Sequence, residues 1–219
     1  MLNWQEIDTV FLDMDGTLLD LRFDNHFWQE FVPKKFAEKH GLTVDHARAH
    51  LMPKFRSQEG KLQWYCLDYW TETLQLDIAA LKVELADLIA VLPHVTEFLK
   101  KLQDTHHHVL LVTNAHRNSL SLKMEKTGLA GYFDAIVSSH DFGKPKENPE
   151  FWVALQEAHH FDKQKTLLID DSLSVLNSAR QYGIAHLVSV SRPDSAMPKR
   201  ETSDFPAIED FRELMPPGL

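Results

Sequence analysis

The chain has 219 residues, 43% of them hydrophobic, which is enough for one or two domains around an ordinary packed core. A formal net charge of −9 argues against an extended basic surface for nucleic acid, because such binding rests on phosphates neutralised by Lys and Arg. A single cysteine, Cys66, allows no intrachain disulfide, no stretch approaches the ~20 consecutive apolar residues of a membrane span, and Met1 to Glu6 lack a signal-peptide pattern, so the expected location is the cytoplasm.

The first apolar run, Val10-Phe11-Leu12, predicts a short buried strand. From about Leu21 to Leu92 the pattern is helical only, with Phe27, Phe31 and Phe36, then Leu74, Leu81, Leu85 and Leu88, at helical spacing. This stretch is rich in aromatics (Phe23, Phe27, Trp28, Phe31, Trp64, Tyr65, Tyr69, Trp70) and reads as a second, smaller domain inserted after the first strand. Pro93 opens a helix ending near Gln103, and strands follow at Val109 to Val112 and Ala135 to Val137. Asn148 and Pro149 supply a cap and first helical position, Leu167 to Ile169 form a fourth strand, Gly183 closes the next helix, and Leu187-Val188 mark a fifth strand. The tail from about Ser191 reads as irregular chain with one short helix over Ile208 to Leu214. Short buried runs alternating with helices predict an α/β fold, a doubly wound parallel sheet of Rossmann-like type, with residues 1–20 and 93–219 as the core and 21–92 as the helical insertion.

The first strand delivers two carboxylates, Asp13 and Asp15, to its carboxyl end and then meets Gly16; in doubly wound sheets ligands gather at such strand ends. Two carboxylates that close repel one another, and an all-oxygen site of this kind suits Mg2+. Asp13-x-Asp15-Gly16-Thr17 resembles the first motif of the haloacid dehalogenase (HAD) superfamily. Three further motifs stand in the matching order: Val109-Leu110-Leu111-Val112-Thr113-Asn114, a lysine just before a helix, and Leu167-Leu168-Ile169-Asp170-Asp171-Ser172. The resemblance implies a Mg2+-dependent phosphatase with Asp13 as nucleophile and Asp15 as acid and base. It implies Thr113 and Asn114 as phosphate ligands, and a metal site of Asp13, Asp15 and Asp171 supported by Asp170.

Two lysines compete for the third motif. Lys144 precedes a proline, whereas Lys146 stands three residues before Pro149 and six before Trp152, the family's usual interval; the reading favours Lys146 as the catalytic lysine. The segments Leu19-Asp20-Leu21, Phe23-Asp24-Asn25, Phe27-Trp28 and Trp64 to Trp70 resemble the purine nucleotidases of the superfamily, in which the insertion is a cap over the active site. That likeness implies a nucleoside monophosphate as the small-molecule partner, with no role for nucleic acid or membrane. A phosphatase or phosphomutase acting on a sugar phosphate shares all four motifs, and a dehalogenase is disfavoured because Asp15 is present. A non-catalytic binding module on the same scaffold is the alternative from another class.

Several features have plainer readings. Phe27, Phe31, Trp64 and Tyr69 recur at helical spacing and are expected mainly to pack a core. His106-His107-His108 reads as loop, since three consecutive residues do not share a face. Cys66, flanked by aromatics and with no evident histidine partner, reads as a packing residue.

Overall fold

The computed structural model describes residues 2–217. Six strands, β1 (Thr9–Leu12), β2 (His108–Thr113), β3 (Ala135–Ser138), β4 (Thr166–Asp170), β5 (His186–Val190) and β6 (Ala207–Ile208), form one sheet in the order β3-β2-β1-β4-β5-β6. Every pairing is parallel. Because side chains alternate across a strand, consecutive apolar residues feed two cores. Val10, Leu12, Val109, Leu111, Leu167 and Ile169 face α7 (Val95–Gln103) and α8 (Arg117–Thr127). Phe11, Leu110, Val112 and Leu168 face α9 (Pro149–Ala158) and α10 (Leu173–Tyr182). This is the doubly wound α/β arrangement that the alternation of runs and helices predicts.

Between β1 and α7 lie six helices: α1 (Arg22–His26), α2 (Val32–His40), α3 (Val44–Arg56), α4 (Leu62–Tyr65), α5 (Leu67–Leu74) and α6 (Ile78–Glu84). A π-helical turn, Phe27–Phe31, joins α1 to α2. These helices enclose a third core of their own, in which Phe27, Leu51, Trp70, Leu74 and Ile78 are fully buried. Phe31, Trp64 and Tyr69 pack against it only in part. Leu88, placed on the same stripe by its spacing, is 43% exposed, because α6 ends at Glu84 and Leu88 lies in a 3-10 turn that breaks the helical period. The two connections to the insertion run side by side: Asp20 N–H donates to Ala90 O at 2.9 Å and Leu92 N–H to Leu18 O at 2.9 Å.

Helix boundaries follow local chemistry. Asn148 caps α9 by accepting from Glu150 N–H, with Pro149 at the first position, and Gly183 ends α10 at φ 103°. Pro93 stands two residues ahead of α7 rather than opening it, with His94 between them at φ 62°. The expected tail helix over Ile208 to Leu214 needs correction. Ile208 belongs to β6, its carbonyl accepting from Ser191 N–H at 2.8 Å, and only Phe211–Leu214 forms a 3-10 turn, capped by Asp210 and Glu213. A two-residue strand carries no periodicity, so only its pairing with β5 reveals it. His108 is the first residue of β2 rather than loop, and His107 is buried edge-on against the Trp4 ring.

Candidate active site

The sheet order changes direction between β1 and β4, and the carboxyl ends of these two strands, with that of β2 beside them, bring the motif residues together. After β1 the chain coils tightly, Met14 O accepting from Leu18 N–H at 3.0 Å and Leu19 N–H at 2.8 Å. Gly16 makes this possible at φ 86°, and a Cβ there would lie 2.7 Å from both Cγ and Oδ2 of Asp171. The glycine thus serves both the turn and the close approach of the loop after β4. Gly16→Ala is expected to lower Tm, with a backbone cost of ~1–2 kcal/mol before any shift of Asp171, measurable by thermal unfolding.

Lys146 is the centre of the charge arrangement. Its ammonium is almost fully buried and donates to Asp13 Oδ1 at 2.5 Å, Asp170 Oδ2 at 2.7 Å and Val112 O at 2.9 Å. Lys144, in contrast, is exposed and pairs with Glu150 on the first turn of α9. Asn114 fixes the Lys146 backbone, its Oδ1 accepting from Lys146 N–H at 2.9 Å. Thr113, buried at the end of β2, accepts at Oγ1 from Ala115 N–H at 3.0 Å, so its own hydroxyl hydrogen is available to a ligand.

Donor oxygens of Asp13, Asp170 and Asp171 lie within 4.8 Å of one another. Two cations offset these three carboxylates, Lys146 and Arg200, the latter donating from Nη2 to Asp171 Oδ2 at 2.9 Å. Burial first, and then the neighbouring carboxylates, push Asp13 and Asp171 up to about 7 and Asp170 up to about 6, whereas its anionic partners hold Lys146 firmly protonated. A buried group of hard oxygen donors with surplus negative charge fits a divalent cation such as Mg2+.

Asp15 is held by a residue that the motifs do not include. Lys123 of α8, 1% exposed, donates at 2.6 Å to Asp15 Oδ1 and at 2.6 Å to Asp24 Oδ2. Asp24, on α1, also accepts at Oδ1 from Lys82 of α6 at 2.7 Å, and Lys82 lies over the Phe27 ring at 4.5 Å. Burial alone would raise the Asp24 carboxyl, but Lys123 and Lys82 outweigh it and hold that carboxyl well below the usual range. Burial raises Asp15, with Lys123 opposing. A second tie crosses from insertion to core: Tyr65 OH donates to Glu147 Oε1 at 2.5 Å, while Asn114 Nδ2 donates to Glu147 Oε2 at 2.9 Å. Lys123, Lys82, Glu147 and Arg200 are absent from the sequence reading because the partner of each lies far along the chain. For Lys82 alone the sequence carries a signal, a charged residue on the helix face of Ile78, Ala79 and Leu85.

The carboxylates, Lys146, Lys82, Glu147 and Arg200 open onto one cavity of about 1130 Å³, with Lys123 behind Asp15 and Asp24. Its inner end is lined by Asp13, Asp15, Thr113, Asn114, Lys146 and Asp171, and its outer part by insertion residues including Trp28, Arg48, Phe55, Trp64 and Tyr65.

A fold of this topology with a buried carboxylate and lysine cluster at the ends of β1 and β4 defines a class, and residues 7–183 match the family model of the haloacid dehalogenase-like hydrolases. The chain belongs to that family and is an enzyme of the hydrolase class. It is 41% identical over 213 residues to the GMP/IMP nucleotidase YrfG of Escherichia coli, covering 97% of this chain and 96% of that one. The pyrimidine 5'-nucleotidase YjjG of Escherichia coli is 26% identical over 181 residues, with 75% and 77% of the two chains covered. Among solved structures, a HAD phosphatase from Thermococcus onnurineus superposes with a TM-score of 0.79 at 24% identity, covering 95% of this chain and 96% of that one, a likeness of fold.

Proposed function

We propose that this chain is a Mg2+-dependent phosphomonoester hydrolase that passes through an aspartyl phosphate on Asp13 and acts on purine nucleoside 5'-monophosphates, GMP and IMP. The supporting observation is the single cavity that runs from the carboxylate and lysine cluster to the aromatics of the insertion, together with near full-length similarity to a GMP/IMP nucleotidase. The cavity exceeds the usual ~300–1,000 Å³ of small-ligand sites, so a nucleotide with its metal can be accommodated.

In this reading Lys146 grips Asp13 through Oδ1, leaving the other carboxylate oxygen to attack phosphorus as the ester P–O bond breaks. Asp15 gives its proton to the departing oxygen of the nucleoside. It then takes a proton from the water that cleaves the acyl phosphate, which returns Asp13 and releases inorganic phosphate. Thr113 Oγ and the Asn114 amide hold phosphoryl oxygens, and Lys146 offsets the charge that grows on them. Asp13, Asp171 and the Asp15 backbone carbonyl would hold the Mg2+, with Asp170 fixing Lys146 beside it. When bound, the ion supplies Lewis-acid neutralisation of phosphoryl charge.

Residues 21–92 act as a cap over this site. Trp28 and Trp64, partly buried and lining the cavity, offer ring faces to a purine, while Phe27 and Phe55 belong to the cap's own core. Lys123 serves as a positioning residue, presenting Asp15 to the leaving group and tying that carboxylate to the cap through Asp24 and Lys82. Lys123→Met is expected to lower kcat on the order of 10²-fold with little change in KM, and Lys123→Arg to restore part of it. An equal rise in KM would assign the lysine to substrate binding instead. A lone cysteine fits a reducing compartment, which supports a cytoplasmic location.

The decisive assay is inorganic phosphate release with Mg2+ from GMP, IMP, AMP, UMP, glucose 6-phosphate and phosphoglycolate, ranked by kcat/KM. GMP and IMP are expected to lead, and a lead for a sugar phosphate or phosphoglycolate would reject the cap reading. EDTA is expected to abolish release, and added Mg2+ to restore it. Because burial and mutual repulsion raise the three carboxylates, protons compete with the cation. The Mg2+ concentration for half-maximal rate is therefore expected to rise as pH falls through about 7. An activity indifferent to chelation would overturn the metal assignment.

A further inference from the structure

A second cluster of metal-ligating side chains lies across the seam between insertion and core. Donor atoms of Cys66, His116 and His140 fall within 4.8 Å of one another. The two imidazoles meet edge to face at 5.1 Å, and Asp68 Oδ2 stands 3.4 Å from His116 Nε2. Cys66 and Asp68 come from the insertion, at the start of α5. His116 comes from the loop after β2, and His140 from the 3-10 turn after β3. Fifty residues separate Cys66 from His116, so the sequence shows no histidine partner for Cys66, whereas the fold sets two beside it.

Packing alone leaves one feature unexplained. His140 Nε2 is buried with no hydrogen-bond partner, although an unpaired buried polar atom carries a desolvation penalty of ~1–3 kcal/mol. Cys66 Sγ accepts from Tyr69 N–H at 3.5 Å at the amino end of α5.

We propose that Cys66, His116, His140 and Asp68 form a second metal site that bridges cap and core and takes zinc or a similar divalent transition metal. One sulfur, two imidazoles and one carboxylate make a four-coordinate donor set of zinc type, and thiolate plus carboxylate balance the charge of a divalent ion. This set is chemically unlike the all-oxygen cluster around Asp13, which selects a hard cation. Bonds of ~2.0–2.3 Å put tetrahedral ligands roughly 3.3–3.7 Å apart, so Cys66, His116 and His140 must draw in by about 1 Å, and the exposed Asp68 carboxylate must swing from His116 toward the other two. His116 Nδ1 accepts from Asn118 N–H at 3.3 Å. Ligation through Nε2 would place the ring proton on Nδ1 and give up that long contact. Because two ligands come from each side of the seam, the bound ion holds the cap against the core. The resulting inhibition rests on the phosphatase reading, whereas the metal site does not.

Titration of the full chain with Co2+, in saturating Mg2+, tests the site directly. Expected is one equivalent of cobalt showing thiolate-to-cobalt charge transfer and the intense ligand-field bands of a tetrahedral ion, both removed by Zn2+. Cys66→Ser is expected to abolish the charge-transfer band, and His140→Ala to weaken binding by at least tenfold. Circular dichroism checks that both variants are folded. Absence of the charge-transfer band in the wild type, or its persistence in Cys66→Ser, would overturn the site. Zinc is further expected to inhibit phosphate release by the wild type and to do so far less in Cys66→Ser. Equal inhibition of both would put the inhibitory zinc elsewhere and overturn the bridging role. A chain that bound cobalt as expected but released no phosphate from any ester would sink the phosphatase reading while leaving the metal site intact.

Discussion

Asp13→Asn is expected to lower kcat by roughly 10⁴-fold or more while leaving a folded protein. The substitution keeps size and shape, and the amide oxygen still accepts from Lys146, which also retains Asp170 and Val112 O. What is lost is the anionic nucleophile, since an amide oxygen forms no stable bond to phosphorus. The charge balance of the cluster points the same way for stability. Two buried carboxylates and the partly buried Asp171 face two cations, so replacing one by a neutral amide relieves repulsion, and Tm without Mg2+ is expected to stay level or rise. The rise in Tm on adding Mg2+ should shrink, because one ligand to the ion has gone. Single-turnover phosphate release and thermal unfolding with and without Mg2+ separate these effects. Turnover retained in a variant free of wild-type enzyme would move the nucleophile to another residue.

Legibility in the sequence tracked how local the physics is. The strands are visible because parallel strands covered on both faces read as unbroken apolar runs: β1 and β4 are buried throughout. Asp13, Gly16, Thr113, Asp170 and Asp171 stand within a few residues of such runs, so finding the strand end finds the candidate site. Lys146 was ranked above Lys144 by its interval to α9, and the geometry puts Lys146, not Lys144, against Asp13. The insertion shows the opposite case. Helical spacing marks it as helical, yet spacing does not say which aromatic fills the core and which lines the cavity. Phe27 is fully buried, whereas Trp28, next in sequence, lines the cavity. The chain Asp15, Lys123, Asp24, Lys82 crosses from core to insertion between Lys123 and Asp24, and Cys66 meets His116 and His140 only across the same seam. Such contacts depend on how two separately packed bodies meet, which no periodicity encodes.

The pair Lys146→Ala and Lys144→Ala places a large expected effect beside a small one two residues away. Lys146 is 1% exposed and supplies the shared counter-charge of Asp13 and Asp170. Without it two carboxylates remain buried and unpaired, a loss that costs about 3–5 kcal/mol in comparable sites and lowers Tm. The rate effect has a separate origin. The ammonium lies where charge grows on the phosphoryl group, and removing one such donor costs ~10²–10³ in kcat, with the disordered nucleophile adding to it. Since Lys146 lowers the pKa of both Asp13 and Asp170, its loss should also raise them further, so the Mg2+ demand climbs at a higher pH than in the wild type. Lys146→Met, which keeps the buried stem, guards against a variant that merely unfolds: a folded, Mg2+-responsive but inactive Met variant assigns the loss to the ammonium. Lys144 is 42% exposed and its partner Glu150 is more exposed still, so solvent already screens that pair, and Lys144→Ala should change kcat less than about twofold. The reverse order of effects would hand the phosphoryl-facing role to Lys144 and require the loop before α9 to rearrange when substrate binds.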